Sequence, residues 1–170
     1  WAFAAAGFAT GEPWVYETAI PEWGRPLDYQ LVADTGYPIY AVALTARSAD
    51  IADKADCLAK LVPVIQQASV DYFADPAAAN ALIVSAVEQY DNGWAYPAAE
   101  AENSTAQQRA LGLAANGPDG TEGHFDEARV ARVQSIVTPI LTAKGVTVPA
   151  GLTPEQLATN EFLDPSIALP

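Results

Sequence analysis

The chain has 170 residues, 51% of them apolar and 17% charged, with 21 acidic residues against 8 basic ones and a formal net charge of -13. This is a globular composition of one domain's size, long enough to bury a core and too apolar for a disordered segment. The acidic balance excludes a nucleic-acid backbone as partner and disfavours anionic lipid, because no Lys/Arg cluster is present to neutralise phosphates.

The start, Trp1-Ala-Phe-Ala-Ala-Ala-Gly7, lacks a basic segment and is not expected to be a signal peptide. Ala2 to Ala9 is a small-to-apolar run suited to a strand buried on both faces. Glu12-Pro13-Trp14 opens a helix with proline in its first turn, expected to reach about Ala19 and to stop before Pro21. Gly24 and Pro26 mark a loop. Asp28 to Ala33 and Tyr40 to Ala46 read as two further strands, separated by the turn-rich Asp34-Thr-Gly-Tyr-Pro38. A loop that follows a strand is a common place for ligand contacts in α/β folds.

After Arg47 the pattern is helical. Leu58, Leu61, Val62, Ile65, Ser69, Tyr72 and Phe73 recur at three- and four-residue spacing and describe one amphipathic helix, which Pro63 is expected to kink. Asp75-Pro76 starts the next helix, with Ala79, Leu82, Ile83, Ala86, Val87 and Tyr90 on one face and Asn92-Gly93 at its end. Pro97 to about Ala115 reads as a third helix and Asn116 to Gly120 as a loop. Asp126 begins a strong helix closed by Gly145. Thr153-Pro154-Glu155-Gln156 combines an N-cap, a first-turn proline and a capping-box glutamine for a last short helix. Cys57 is the only cysteine, so no disulfide forms within the chain, and its place in a helical stretch suggests a small core residue.

These elements predict an α/β fold with about three short strands, then five or six helices. Residues 1–46 would carry the strands and cleft loops, and residues 47–170 the helical remainder. Doubly buried strands need neighbours, so the sheet is expected to be incomplete without an upstream segment or a partner chain.

Two segments resemble a known family. Gly7-Phe-Ala-Thr-Gly-Glu-Pro-Trp14 resembles the Gly-aromatic-x-Thr-Asn-Glu-Pro-aromatic stretch of ABC-transporter substrate-binding proteins for nitrate, sulfonates, taurine and thiamine or riboflavin precursors. Leu31-Val-Ala-Asp-Thr-Gly-Tyr-Pro-Ile-Tyr40 resembles the strand and loop that follow in those proteins. Asp71 to Pro76 and Asn160-Glu-Phe-Leu163 are similar to later parts of the family, so the likeness covers nearly the whole chain. It departs at Gly11, where the family often has asparagine, and in lacking the family's first half.

The resemblance implies the C-terminal half of a type II periplasmic-binding-protein fold, an extracytoplasmic location and docking on an ABC permease. The N-terminal half or a second chain would complete the interlobe cleft. Thr10, Glu12, Trp14, Asp34, Tyr37 and Tyr40 are then candidate ligand contacts. Each has a plainer alternative: helix-start chemistry for Thr10 and Glu12, core packing for Trp14, an Asx-turn for Asp34, and cover of a sheet edge for the two tyrosines. Only Arg25 and Arg47 lie near these segments, whereas nitrate or a sulfonate needs cations or grouped N–H donors. Two carboxylates and several aromatics instead suit a neutral or cationic small molecule, such as a heterocycle or an amine.

No catalytic residue, metal site or cofactor is expected. His124 is the only histidine, without a serine or cysteine partner in a recognisable arrangement, and is read as a surface or capping residue. Alternatives on the same resemblance are a pyrimidine synthase of thiamine biosynthesis and the sensor domain of a regulator.

Overall fold

The structure, a computed structural model, describes residues 6–170. Its elements are α1 (Glu12–Trp14) running on as a π-turn (Val15–Ala19), a 3-10 turn (Val32–Thr35), α2 (Ser48–Ile51), α3 (Ala55–Ala74), α4 (Ala77–Tyr90), α5 (Ala98–Ala110), α6 (Glu127–Ala143) and α7 (Pro154–Leu157). Half of the chain, 51%, is helical, and the described residues contain no strand. The expected α/β fold with its three strands is therefore corrected.

Backbone hydrogen bonding explains the correction. A strand offers its N–H and C=O groups to a neighbour about 4.8 Å away, but in the first two expected strands turn bonds take up some of those groups. In the first expected strand (its residues 2–5 lie outside the described residues), the Phe8 carbonyl accepts from the N–H groups of Gly11 and Glu12. The Phe8 N–H donates to the Glu12 carboxylate at 2.5 Å. In the second, Leu31 accepts from Asp34 N–H and the chain turns at Gly36, whose φ of 95° favours glycine. Just ahead of the third, the carbonyls of Pro38 and Ile39 are taken by Arg129. Beyond them Val42 and Leu44 are left exposed, at 95% and 57%.

The helices have legible ends. Asp126 caps α6 by accepting from Arg129 N–H at 3.0 Å, and Gly145, at φ 78°, closes it. Thr153 N–H donates to Gln156 Oε1 at 2.9 Å at the start of α7. Asp91 ends α4 in the left-handed region, followed by Gly93. Asp75 Oδ1 accepts from Ala77 N–H at the start of α4. Pro63 lies within α3.

The chain forms two compact units, one of residues up to Tyr29 with Asp71–Ala115, the other of Gln30–Val70 with Asn116–Pro170. In the first, α4 and α5 pack with Phe73, Val87 and Ala101 buried. A polar cluster sits among them: Tyr72 Oη donates to Asn80 Oδ1 at 2.9 Å, and both side chains meet the Thr105 hydroxyl. In the second unit Val130 is buried, as are Gln66 and Thr121. Asn116 pins the chain end by exchanging two hydrogen bonds with the Leu169 backbone at 3.0 and 2.8 Å. The apolar faces are only partly covered: Leu61, Ile65, Leu82, Ile83, Tyr90 and Ile140 remain exposed. Cys57, expected in the core, is exposed as well, because it lies on an uncovered side of α3.

Candidate functional site

In the first unit, Thr10, Glu12 and Trp14 stand on one turn and the helix start that follows it. Glu12 folds its carboxylate back onto the Phe8 N–H. This contact needs a glycine at position 7, where a Cβ would stand 2.6 Å from Glu12 Cδ. Thr10 is half-buried, and its carbonyl accepts from Asn103 Nδ2 at 3.4 Å. Trp14 is also half-buried, and its carbonyl accepts the Thr18 hydroxyl at 2.6 Å.

The turn lies on Glu100, in the first turn of α5, a residue that sequence reasoning missed. Glu100 is only 7% exposed, and a Cβ placed on Gly11 would stand 3.6 Å from its Oε1. No hydrogen bond reaches its carboxylate among the described residues. Burial, and secondarily the charge of Glu12, pushes the Glu100 carboxyl above its ordinary value.

A raised carboxyl value has a definite sign for stability. The native state binds the proton more readily than the unfolded chain, so the buried charge destabilises above the native value and the penalty disappears in acid. Glu100→Gln is therefore expected to raise the melting temperature at pH 7 by about 3 °C, for about 1 kcal/mol. The gain should shrink to nothing as the pH falls below the usual carboxylate range, which melting curves from pH 3 to 8 will show.

In the second unit, Asp34 lies in the 3-10 turn and is exposed. It makes no Asx-turn bond; the turn is held instead by the Thr35 hydroxyl, which donates to the Val32 carbonyl at 2.6 Å. Tyr37 is half-buried, and its carbonyl accepts from Ile39 N–H at 2.9 Å.

Tyr40 is engaged through both its hydroxyl and its ring. Its hydroxyl accepts from Asp126 N–H at 2.8 Å, its ring meets Phe125 edge-on with centroids 4.9 Å apart, and the Arg129 guanidinium stands 3.9 Å from the ring centre. Arg129 also donates from Nε to the Pro38 carbonyl at 2.7 Å and from Nη2 to the Ile39 carbonyl at 2.8 Å. The loop carrying Asp34 and Tyr37 is thus fastened to α6 through Tyr40 and Arg129.

Two further features of this unit lay outside the candidate residues. A cavity of about 200 Å³ is lined by Phe125, Glu127, Val130, Pro154, Glu155 and Asn160. The Thr153 side chain and the backbone N–H at the start of α7 hold the Glu155 carboxyl below its ordinary value. Both acids occupy first helical turns, a placement the capping residues Asp126 and Thr153 signal in the sequence. Beside the cavity, His124 Nδ1 meets Asp119 Oδ2 at 2.8 Å and its Nε2 meets Asn160 Nδ2 at 3.3 Å. Asn160 is fixed in orientation by the Phe125 backbone, accepting its N–H at 2.8 Å and donating to its carbonyl at 3.0 Å. With its amide so held, Nδ2 faces the ring, so His124 accepts there and carries its proton on Nδ1.

The described residues contain no cluster of metal-ligating side chains and no helix long and apolar enough to cross a membrane. Comparison with protein-family models, curated proteins and solved structures finds no match to this chain.

Proposed function

We propose that the chain is part of an extracytoplasmic solute-binding protein of an ABC importer and takes a small cationic or neutral molecule, such as an amine or a heterocycle. One observation carries the reading. The two segments that resemble that family present acidic groups with no cation on them among the described residues: the ion pairs there are Arg47–Asp50, Lys54–Asp50 and His124–Asp119, and none involves Glu12 or Asp34. Asp34, an exposed carboxylate with no side-chain hydrogen bond among the described residues, is suited to a positively charged or N–H-bearing ligand. Asp34, with Tyr37 in the same loop, is the principal contact on this reading. Tyr40 then positions that loop, its own polar and aromatic surfaces being occupied.

The reading rests on the residues of the two segments. It includes two polypeptide partners, an ABC permease and an N-terminal half or second chain. The latter would lie against residues 28–46, where Tyr29, Val32, Ile39, Val42 and Leu44 are exposed.

The test is native mass spectrometry after incubation with a mixture of small amines, heterocycles, sulfonates and sugars, followed by titration of whatever is retained. A cationic or neutral heterocyclic solute held one-to-one, and weakened at least tenfold by Asp34→Asn, is the expected result. Retention of a sulfonate or sugar, or of nothing, overturns it.

A further inference from the structure

An asparagine that precedes a glycine can modify itself, because the glycine's backbone nitrogen is able to attack the asparagine Cγ. The attack needs a backbone free to rotate the nitrogen onto that carbon, and a glycine, lacking a Cβ, hinders the approach least. It also needs an uncommitted nucleophile and an uncommitted leaving group, so hydrogen bonds on either one oppose it. Of the chain's five asparagines two precede a glycine, Asn92 and Asn116. Their surroundings are opposite.

Asn116 is half-buried and held at both ends of its amide. Its Nδ2 donates to the Leu169 carbonyl at 3.0 Å, and its Oδ1 accepts the Leu169 N–H at 2.8 Å. The attacking nitrogen is committed as well, since Gly117 N–H donates to the Thr121 carbonyl at 2.9 Å. His124 closes over the same backbone: a Cβ on Gly117 would stand 2.5 Å from His124 Cβ. Reaction here requires local opening, and its rate falls with the population of the open state.

Asn92 and Gly93 are both exposed, just beyond the end of α4 at Asp91. Among the described residues the Gly93 N–H makes no hydrogen bond, and neither does Asn92 Nδ2, the group that must leave. The one bond on the side chain favours the attack. Asn92 Oδ1 accepts from Trp94 N–H at 3.1 Å, which draws electrons from Cγ and holds the amide beside the following backbone. Gly93 has φ 86° with open space where a Cβ would stand, so nothing covers this turn.

We propose that Asn92 is a self-modification site that converts to aspartate and isoaspartate through a cyclic imide with Gly93, while Asn116 is protected by its fold. The Gly93 nitrogen gives up its proton and bonds to Asn92 Cγ, the Cγ–Nδ2 bond breaks, and ammonia leaves. Water then opens the imide at either carbonyl. Opening at one gives aspartate, and opening at the other gives isoaspartate, which carries the main chain through the former side chain. The net reaction takes one water and releases one ammonia, with no redox change. Each conversion adds a negative charge next to Asp91, at the carbonyl end of α4, where the helix dipole opposes it. The site is independent of any solute and of the reading proposed above.

The experiment incubates the full chain at 37 °C and pH 8, with and without urea sufficient to unfold it. Peptide mapping follows residues 92 and 116, and fragmentation that separates isoaspartate from aspartate identifies the products. In the native chain Asn92 should convert at least tenfold faster than Asn116 and yield both products, whereas in urea the two should convert at similar rates. Gly93→Ala, whose added methyl hinders the nucleophile, should slow residue 92 at least tenfold and leave residue 116 unchanged. Hydrogen exchange checks the cause without any variant: the Gly93 N–H should exchange rapidly and the Gly117 N–H should be protected.

A ratio of the two rates that is the same in native and unfolded chains overturns the proposal, because the fold then protects neither site selectively. So does Asn92 converting within twofold of its wild-type rate in Gly93→Ala, or giving aspartate alone, since the Gly93 nitrogen would not be the nucleophile. Equal protection of the Gly93 and Gly117 N–H groups overturns it too.

Discussion

Replacing Gln66 by alanine is expected to destabilise the protein by about 3 kcal/mol, more than any other single polar substitution in the second unit. Gln66 is 4% exposed in α3 and uses both ends of its amide. Nε2 donates to the Glu122 carbonyl at 2.7 Å and to the Asp164 carbonyl at 3.3 Å, while Oε1 accepts from the Asp164 N–H at 2.8 Å. One side chain therefore ties a helix to two loops, 56 and 98 residues away in sequence. Truncation leaves an N–H and two carbonyls without partners, and each unsatisfied buried group costs about 1 kcal/mol or more.

Gln66→Leu separates packing from hydrogen bonding, because it restores most of the volume and none of the bonds. It should be nearly as damaging as alanine. Urea unfolding measures the loss, and hydrogen exchange at the Asp164 N–H reports the local bond directly. A loss below about 1 kcal/mol for both variants, with Asp164 protection unchanged, would show that the amide does not hold these loops.

What can be read from the sequence here is what is decided locally. The starts of α6 and α7 follow from Asp126 and Thr153, and the ends of α4 and α6 from the residues at 91–93 and from Gly145, because a cap is a contact between residues a turn apart. The strands were misjudged for the opposite reason. An apolar run such as 40–46 specifies only that the chain suits an extended, half-buried surface; whether it pairs depends on a neighbour that no local pattern encodes. Just ahead of it, long-range bonds from Arg129 take up the Pro38 and Ile39 carbonyls, and such contacts carry no spacing signature. Nothing near Pro38 announces Arg129, and nothing near Gly11 announces Glu100. The candidate residues were legible as a list of types suited to binding, but which were already engaged was not. Tyr40 and Glu12 are held by internal bonds, whereas Asp34 is exposed and makes no side-chain hydrogen bond among the described residues.

Arg129 gives the sharpest test of that distinction. Arg129→Ala should cost about 2–3 kcal/mol, since it removes two hydrogen bonds from a charged donor and a cation held over the Tyr40 ring. Arg129→Lys should recover less than half, because an ammonium on a flexible stem is poorly suited to bridging two successive carbonyls while lying flat on a ring. These contacts are to carbonyls and a ring, not to a carboxylate, so the loss should change little between low and high salt, unlike that of a surface ion pair. A double-mutant cycle with Tyr40→Leu, which deletes the ring and its hydroxyl, should return a coupling of about 1 kcal/mol between ring and guanidinium. For binding, Arg129 acts through the loop and touches no ligand. Its lysine variant should weaken a solute held by Asp34 severalfold while leaving the preference for cationic over neutral solutes intact, whereas Asp34→Asn should abolish that preference. If Arg129→Lys itself removes the preference, the guanidinium shapes the ligand's surroundings directly, and the role assigned to Asp34 must be shared or given up.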